Sequence, residues 1–155
     1  MHTVHYVRPI LEYAAFIWSP YTNININKLE SVQRRAARYL MSDFNRYSSV
    51  REMLSILQWD SLKKRQDIQS LCVLYKILNG LTDVLLPGWM IKIPLITRGH
   101  SKRFITISPT VDSYKFSFFP RIISQWNLLS SKTVNAATLD QFLTLIHQWS
   151  LYLLN

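Results

Sequence analysis

Apolar positions recur at helical spacing through most of the chain, and turn-forming residues cut the pattern into segments. Leu29, Val32, Ala36 and Leu40 fall on one face of a helix predicted over 24–41, with Lys28, Ser31, Arg34, Arg35 and Arg38 on the opposite face. Before it, Pro9 suits the first turn of a helix that runs to Trp18 and ends at Ser19-Pro20. The turn at Tyr21, Thr22 and Asn23 supplies a cap for the longer helix. Ser49, with Glu52 three residues on, is a capping box for a short helix to about Gln58. Asp60 is placed to cap the next helix, over 61–79, and Gly80 stands where a left-handed residue would end it. That helix is polar over 63–67 and apolar nearly all round over 71–78, so its second half should be buried.

Pro87, Gly88 and Pro94 interrupt the periodicity, and 81–96 reads as a linker or hinge. Phe104-Ile105-Thr106-Ile107 and Tyr114-Lys115-Phe116-Ser117-Phe118 then alternate in a strand-like way and could pair as a small β-hairpin. Pro120 starts a helix to about residue 129, and Thr138 with Gln141 is a capping box for a last helix to about 153. The expected fold is mostly α, with a helical bundle-like core and at most one small hairpin in the C-terminal half. Its parts are a helical subdomain over 1–80, the linker over 81–96, and a small C-terminal subdomain over 97–155 carrying the hairpin and two helices. Pro9, Trp18, Leu29 and Val32 are expected to share one core with Leu71, Leu74, Tyr75 and Leu78.

Composition narrows the function. With 155 residues, 48% apolar and 17% charged, the chain can bury a core and is not of the disordered class. Five Trp, eight Tyr and seven Phe are many for this length, so some aromatic surface should meet a partner. The net charge is +9: residues 1–65 carry ten basic and five acidic side chains, residues 66–155 eight and four. Such an excess favours polyanions, RNA or DNA, through phosphate neutralisation and counterion release. Cys72 is the only cysteine, which excludes an internal disulfide and a cysteine-based zinc site and fits a reducing, intracellular setting, nuclear or cytoplasmic. The opening Met1-His2-Thr3-Val4 lacks a signal-peptide pattern. Glu12, Asn79 and His147 break the longest apolar stretches below the roughly 20 residues of a transmembrane helix, so no membrane partner is expected.

Catalytic chemistry finds little support. Metal-dependent nucleotidyl transfer needs paired carboxylates, yet the nearest two here, Asp60 and Asp67, are seven residues apart. His2, His5, His100 and His147 are scattered, and Gly80, Gly88 and Gly99 lie too far apart for a phosphate cradle, so no metal or cofactor is expected. Three basic groups remain as candidate nucleic-acid contacts. The first is the stripe of Lys28, Arg34, Arg35 and Arg38, which could track a phosphate backbone or be an ordinary solvated helix face. The second is the loop with Arg98, His100, Lys102 and Arg103, where Gly99 would let backbone approach a phosphate; the plainer reading is an exposed polar turn. The third is Lys115 and Arg121 beside Tyr114, Phe116, Phe118 and Phe119, aromatics that could stack on bases or simply fill a core.

Five blocks along the chain point to one family. The first is the run Arg8-Pro9-Ile10-Leu11-Glu12-Tyr13-Ala14-Ala15-Phe16-Ile17-Trp18-Ser19-Pro20-Tyr21-Thr22 together with Lys28-Leu29-Glu30-Ser31-Val32-Gln33-Arg34-Arg35-Ala36-Ala37-Arg38. Leu57-Gln58-Trp59-Asp60-Ser61-Leu62-Lys63-Lys64-Arg65, Leu74-Tyr75-Lys76-Ile77-Leu78-Asn79-Gly80-Leu81 and Thr97-Arg98-Gly99-His100-Ser101 come next; Tyr114-Lys115-Phe116-Ser117-Phe118-Phe119-Pro120-Arg121 with Trp126-Asn127 closes the series. Together they resemble the segment downstream of the reverse transcriptase domain in non-LTR (LINE-type) retrotransposon polyproteins. Asp60, Thr110 and Ser130 depart from that pattern, where Pro, Arg and Pro are usual. The resemblance implies a non-catalytic C-terminal fragment of an RNA-directed DNA polymerase, whose 1–80 subdomain follows the polymerase thumb. It would contribute binding of template RNA or target DNA, with the missing polymerase domains as its other partner. The alternative is a 5′-truncated relic, a structural fragment with no function of its own.

Overall fold

The computed structural model describes residues 12–90, 100–106 and 111–152. The described chain is mostly helical and, among the described residues, contains no β-strand. It divides into two units between Gln66 and Asp67.

The first unit holds α1 (Ala15–Trp18), α2 (Asn23–Met41), α3 (Val50–Ile56) and the first turn of α4 (Leu62–Leu78). Ala14, at φ 48°, interrupts the backbone just before α1, so the helix expected to reach Trp18 is here a single turn. Its proposed start, Pro9, lies outside the described residues. α2 matches the amphipathic segment, but its buried face is centred on Gln33 and Ala37, while Leu29, Val32, Ala36 and Leu40 are half-buried. The reason is a polar network. Gln33 Nε2 donates to the Asp60 carbonyl at 2.9 Å, and Gln33 Oε1 accepts from Arg65 Nη2 at 2.9 Å. Arg65 Nε meets Glu12 Oε1 at 3.0 Å, and Ser19 Oγ donates to Gln66 Oε1 at 2.9 Å. Buried polar groups persist where partners satisfy them.

Capping fixes the boundaries in this unit. Ser49 Oγ accepts from the Glu52 N–H at 3.3 Å, which opens α3 at the expected residue. At α4 the cap is Ser61 instead of Asp60: Ser61 Oγ accepts from the Lys64 N–H at 3.2 Å, and Glu30 Oε1 of α2 takes the Lys63 N–H at 3.0 Å. The Asp60 carboxylate is engaged by Lys64 Nζ at 2.7 Å.

The second unit comprises the rest of α4, α5 (Asp112–Lys115), α6 (Phe118–Asn127), α7 (Ser131–Val134) and α8 (Leu139–Tyr152). Its core gathers Leu71, Leu74, Tyr75, Phe104, Ile122, Ile123, Trp126, Phe142 and Ile146. Tyr75 stacks on Phe142 with ring centroids 4.4 Å apart and donates its hydroxyl to the Ala136 carbonyl at 2.8 Å. Each such apolar side chain, fully buried, contributes roughly 1.5–3 kcal/mol. Leu71, Leu74 and Tyr75 therefore pack with C-terminal elements of their own unit, whereas Trp18, Leu29 and Val32 belong to the first unit.

Among the described residues the expected hairpin does not form, and most of its second strand is helix. Residues 112–115 and 118–127 are helical, because Phe119, Ile122, Ile123 and Trp126 continue a 3.6-residue period that aligns the aromatics with the core. Pro120 sits in the first turn of α6, where no intrahelical N–H bond is lost. Of the partner segment, 104–107, residues 104–106 are described and form neither helix nor strand, and residue 107 lies outside the described residues. The 81–96 stretch falls within the second unit; its described part, 81–90, has neither helix nor strand. There Met90 is buried, and Trp89 meets Tyr114 and Phe119 edge-on at 5.9 and 6.2 Å. α8 begins where its capping pair indicates, with the Gln141 N–H donating to Thr138 Oγ1 at 3.2 Å.

Candidate nucleic-acid interface

The basic residues singled out from sequence divide sharply by exposure. On α2, Lys28, Arg34 and Arg35 are exposed. Arg34 Nη2 reaches only the Asn27 carbonyl, at 3.3 Å, and none of the three forms an ion pair among the described residues. Arg38 is different. It is half-buried and folds over the end of its helix, Nη1 donating to the Asn45 carbonyl at 2.7 Å and Nη2 to the Ser48 carbonyl at 3.3 Å. Arg38 braces the α2–α3 loop, so its guanidinium is largely committed within the protein.

The second group behaves as structure. Arg98 lies outside the described residues. His100 is only 4% exposed. Its Nε2 lies 3.0 Å from the Trp126 carbonyl, and its ring stands edge-on to Trp126 at 6.1 Å. A carbonyl can only accept, so Nε2 carries the proton. Burial lowers the imidazole pKa below its ordinary value, with Arg103 and Lys102 nearby acting in the same direction and the Trp126 hydrogen bond opposing. His100 is a neutral core side chain, and the reading of it as a phosphate contact on an open loop does not fit that burial. Lys102 Nζ donates to the Val134 carbonyl at 3.3 Å, and Arg103 is half-buried.

A side-chain clasp explains why this segment is held so firmly. Trp126 Nε1 donates to the Lys102 carbonyl at 2.8 Å. Asn127 pairs with both backbone groups of Phe104: Oδ1 accepts from the N–H at 3.0 Å and Nδ2 donates to the carbonyl at 2.8 Å. The amide thus stands in for a neighbouring strand. The two sequence blocks around His100 and Trp126-Asn127 meet here, and they meet as packing.

In the third group, Lys115 is exposed with Nζ 5.4 Å from the Phe116 ring centroid. Arg121 is half-buried; burial lowers its pKa and Asp67 opposes that. Phe118 and Phe119 pack on the core, which decides for them between stacking and packing. Cys72 is also packed there, and burial pushes its thiol up to about 11.

What pattern reading missed lies between α2 and α3. Phe44, Arg46 and Tyr47 are all exposed, as are Tyr39 on the last turn of α2 and Arg51 on α3. The available signal was two aromatics flanking an arginine inside a turn, where helical periodicity assigns them no core face. Among the described residues, no three His, Cys, Asp or Glu side chains cluster to hold a metal, and no helix is long and apolar enough to cross a membrane. No family model, no curated protein and no solved structure matches the chain.

Proposed function

We propose that this chain is a non-catalytic nucleic-acid-binding module from the C-terminal region of a non-LTR retrotransposon reverse transcriptase, holding template RNA or target DNA by phosphate contacts. The observation that carries the reading is the row of exposed cations on α2, Lys28, Arg34 and Arg35, each without an acidic partner among the described residues. An unneutralised row on a rigid helix can displace counterions from a phosphate backbone at little ordering cost. The family assignment rests on the sequence blocks.

Salt-titrated binding of the intact chain to labelled RNA and DNA tests this. Affinity should fall linearly with salt on logarithmic axes, and Arg34→Gln with Arg35→Gln should flatten the slope by about two contacts' worth, roughly 1.4–1.8. Arg38 is left intact because it braces the loop. An unchanged slope would make the row a solvated face.

A second reading, a structural fragment that docks on missing polymerase domains, is favoured by another surface of the first unit. Tyr13, Ile17, Trp18, Tyr21 and Ile24 are all exposed between positions 13 and 24. Absence of nucleic-acid binding at low salt would leave this reading standing.

A further inference from the structure

The α2–α3 loop, residues 42–49, combines an ordered backbone with outward-facing rings. Ser42 ends α2 in the left-handed region, at φ 51°. Asp43 Oδ1 then accepts from the Asn45 N–H at 2.9 Å, and Asn45 Oδ1 accepts from the Tyr47 N–H at 3.0 Å. These are two successive side-chain turns that hold the chain without secondary structure. Arg38 ties the same loop down at the Asn45 and Ser48 carbonyls, and Ser49 closes it by capping α3. The Asp43, Asn45 and Ser49 side chains are thus engaged by the loop's own backbone and that of α3. The rings face solvent: Phe44 is 70% and Tyr47 94% exposed.

Charge decides what such rings would meet. Arg46 stands between them, Arg35 lies one turn before Tyr39 on the same face of α2, and Arg51 follows on α3, all exposed. The acids of this stretch are Asp43 and Glu52. Asp43 is spent on the loop, where the Ser48 hydroxyl, the Asn45 N–H and Arg38 hold its pKa below the usual carboxylate value. A protein partner for so few rings would need an apolar groove around them, and the neighbours here are arginines. Flat rings between cations suit a chain that alternates flat bases with phosphates. In a duplex the base faces are already stacked, so only a single strand offers them.

We infer that the 42–49 loop is a base-stacking platform for single-stranded nucleic acid, with Phe44 and Tyr47 taking base faces and Arg35, Arg46 and Arg51 taking the flanking phosphates. The inference rests on the proposed nucleic-acid-binding function and adds the form of the ligand and the residues that select it.

The test is binding of the full chain to a labelled single-stranded thymidine oligonucleotide and to a matched duplex at one salt concentration. Phe44→Leu and Tyr47→Leu should each weaken single-strand binding by about 5- to 150-fold while leaving duplex binding unchanged. Tyr47→Phe, which keeps the ring, should bind as the parent does. Both side chains are solvent-exposed, so circular dichroism should show the helix content of each variant intact. If the leucine variants bind the single strand as tightly as the parent, the platform is refuted while phosphate binding by α2 stands. If the intact chain binds neither ligand, this inference and the function beneath it fall together. Loss of binding to anionic phospholipid vesicles by the same variants, with oligonucleotide binding unchanged, would assign the loop to a membrane surface and overturn the inference.

Discussion

Gln33 and His100 show how a single polar side chain can be misplaced by pattern alone. Both are written among polar or basic neighbours, and both are buried. Gln33 is drawn in because its amide serves Asp60 and Arg65 together, a donor and an acceptor used on opposite sides. His100 is drawn in because Trp126 offers a carbonyl and a ring edge. Its neutrality has a consequence for pH. The folded state holds the imidazole pKa below its ordinary 6.5, so the unfolded chain binds the proton more tightly and protonation favours unfolding. The stability conferred by the neutral ring is present in full above the unfolded pKa and is lost as pH falls below it. Urea midpoints compared at about pH 7.5 and about pH 5.5 should show this loss. His100→Gln, which can still donate to the carbonyl, should reduce the difference between the two.

Helix ends share one device, and only one instance of it is spelled in the expected residue. At Gly80, φ 65°, the Gly80 N–H reaches the Ile77 carbonyl at 3.2 Å and the Leu81 N–H reaches the Lys76 carbonyl at 2.8 Å. The same pair of bonds recurs at Ser42 and at Gln58, at φ 51° and 53°. Gly80 was readable because glycine takes positive φ without steric cost. Ser42 and Gln58 carry a Cβ into that region, so neither announces itself. Gln58→Gly should therefore raise stability by about 1 kcal/mol, read as a higher urea midpoint with an unchanged slope. α6 teaches the converse: five residues of strand-like alternation yielded to a helical period running through Trp126. A longer period that reaches a core outweighs a short one that does not.

For the whole chain, the division between Gln66 and Asp67 runs inside α4, a helix whose polar and apolar halves were plain in the sequence. The apolar half anchors the second unit's core, where Leu74 is 0% exposed. Leu74→Ala should cost on the order of 2–5 kcal/mol by removing buried methyl groups from a packed site. A cost below about 0.5 kcal/mol, the range of surface substitutions, would contradict its burial. Arg34→Gln, by contrast, touches only an exposed side chain and should leave stability within about 0.5 kcal/mol of the parent.

The mostly α fold, the span of α2, the capping of α3 and α8, the glycine stop of α4 and the burial of its second half were all legible along the chain. Each rests on interactions within a few residues: a hydroxyl three positions before an N–H, a φ angle, an apolar face at helical spacing. The candidate interface was legible in part. Lys28, Arg34 and Arg35 are exposed as a helical wheel places them, but Arg38, one turn on, is claimed by carbonyls of a loop the wheel does not contain. The clasp of Asn127 on Phe104 joins positions 23 residues apart, and Gln33 meets Arg65 across 32. Local periodicity carries no information about such pairings, because they form only when packing brings the two segments together and leaves their polar groups to satisfy one another.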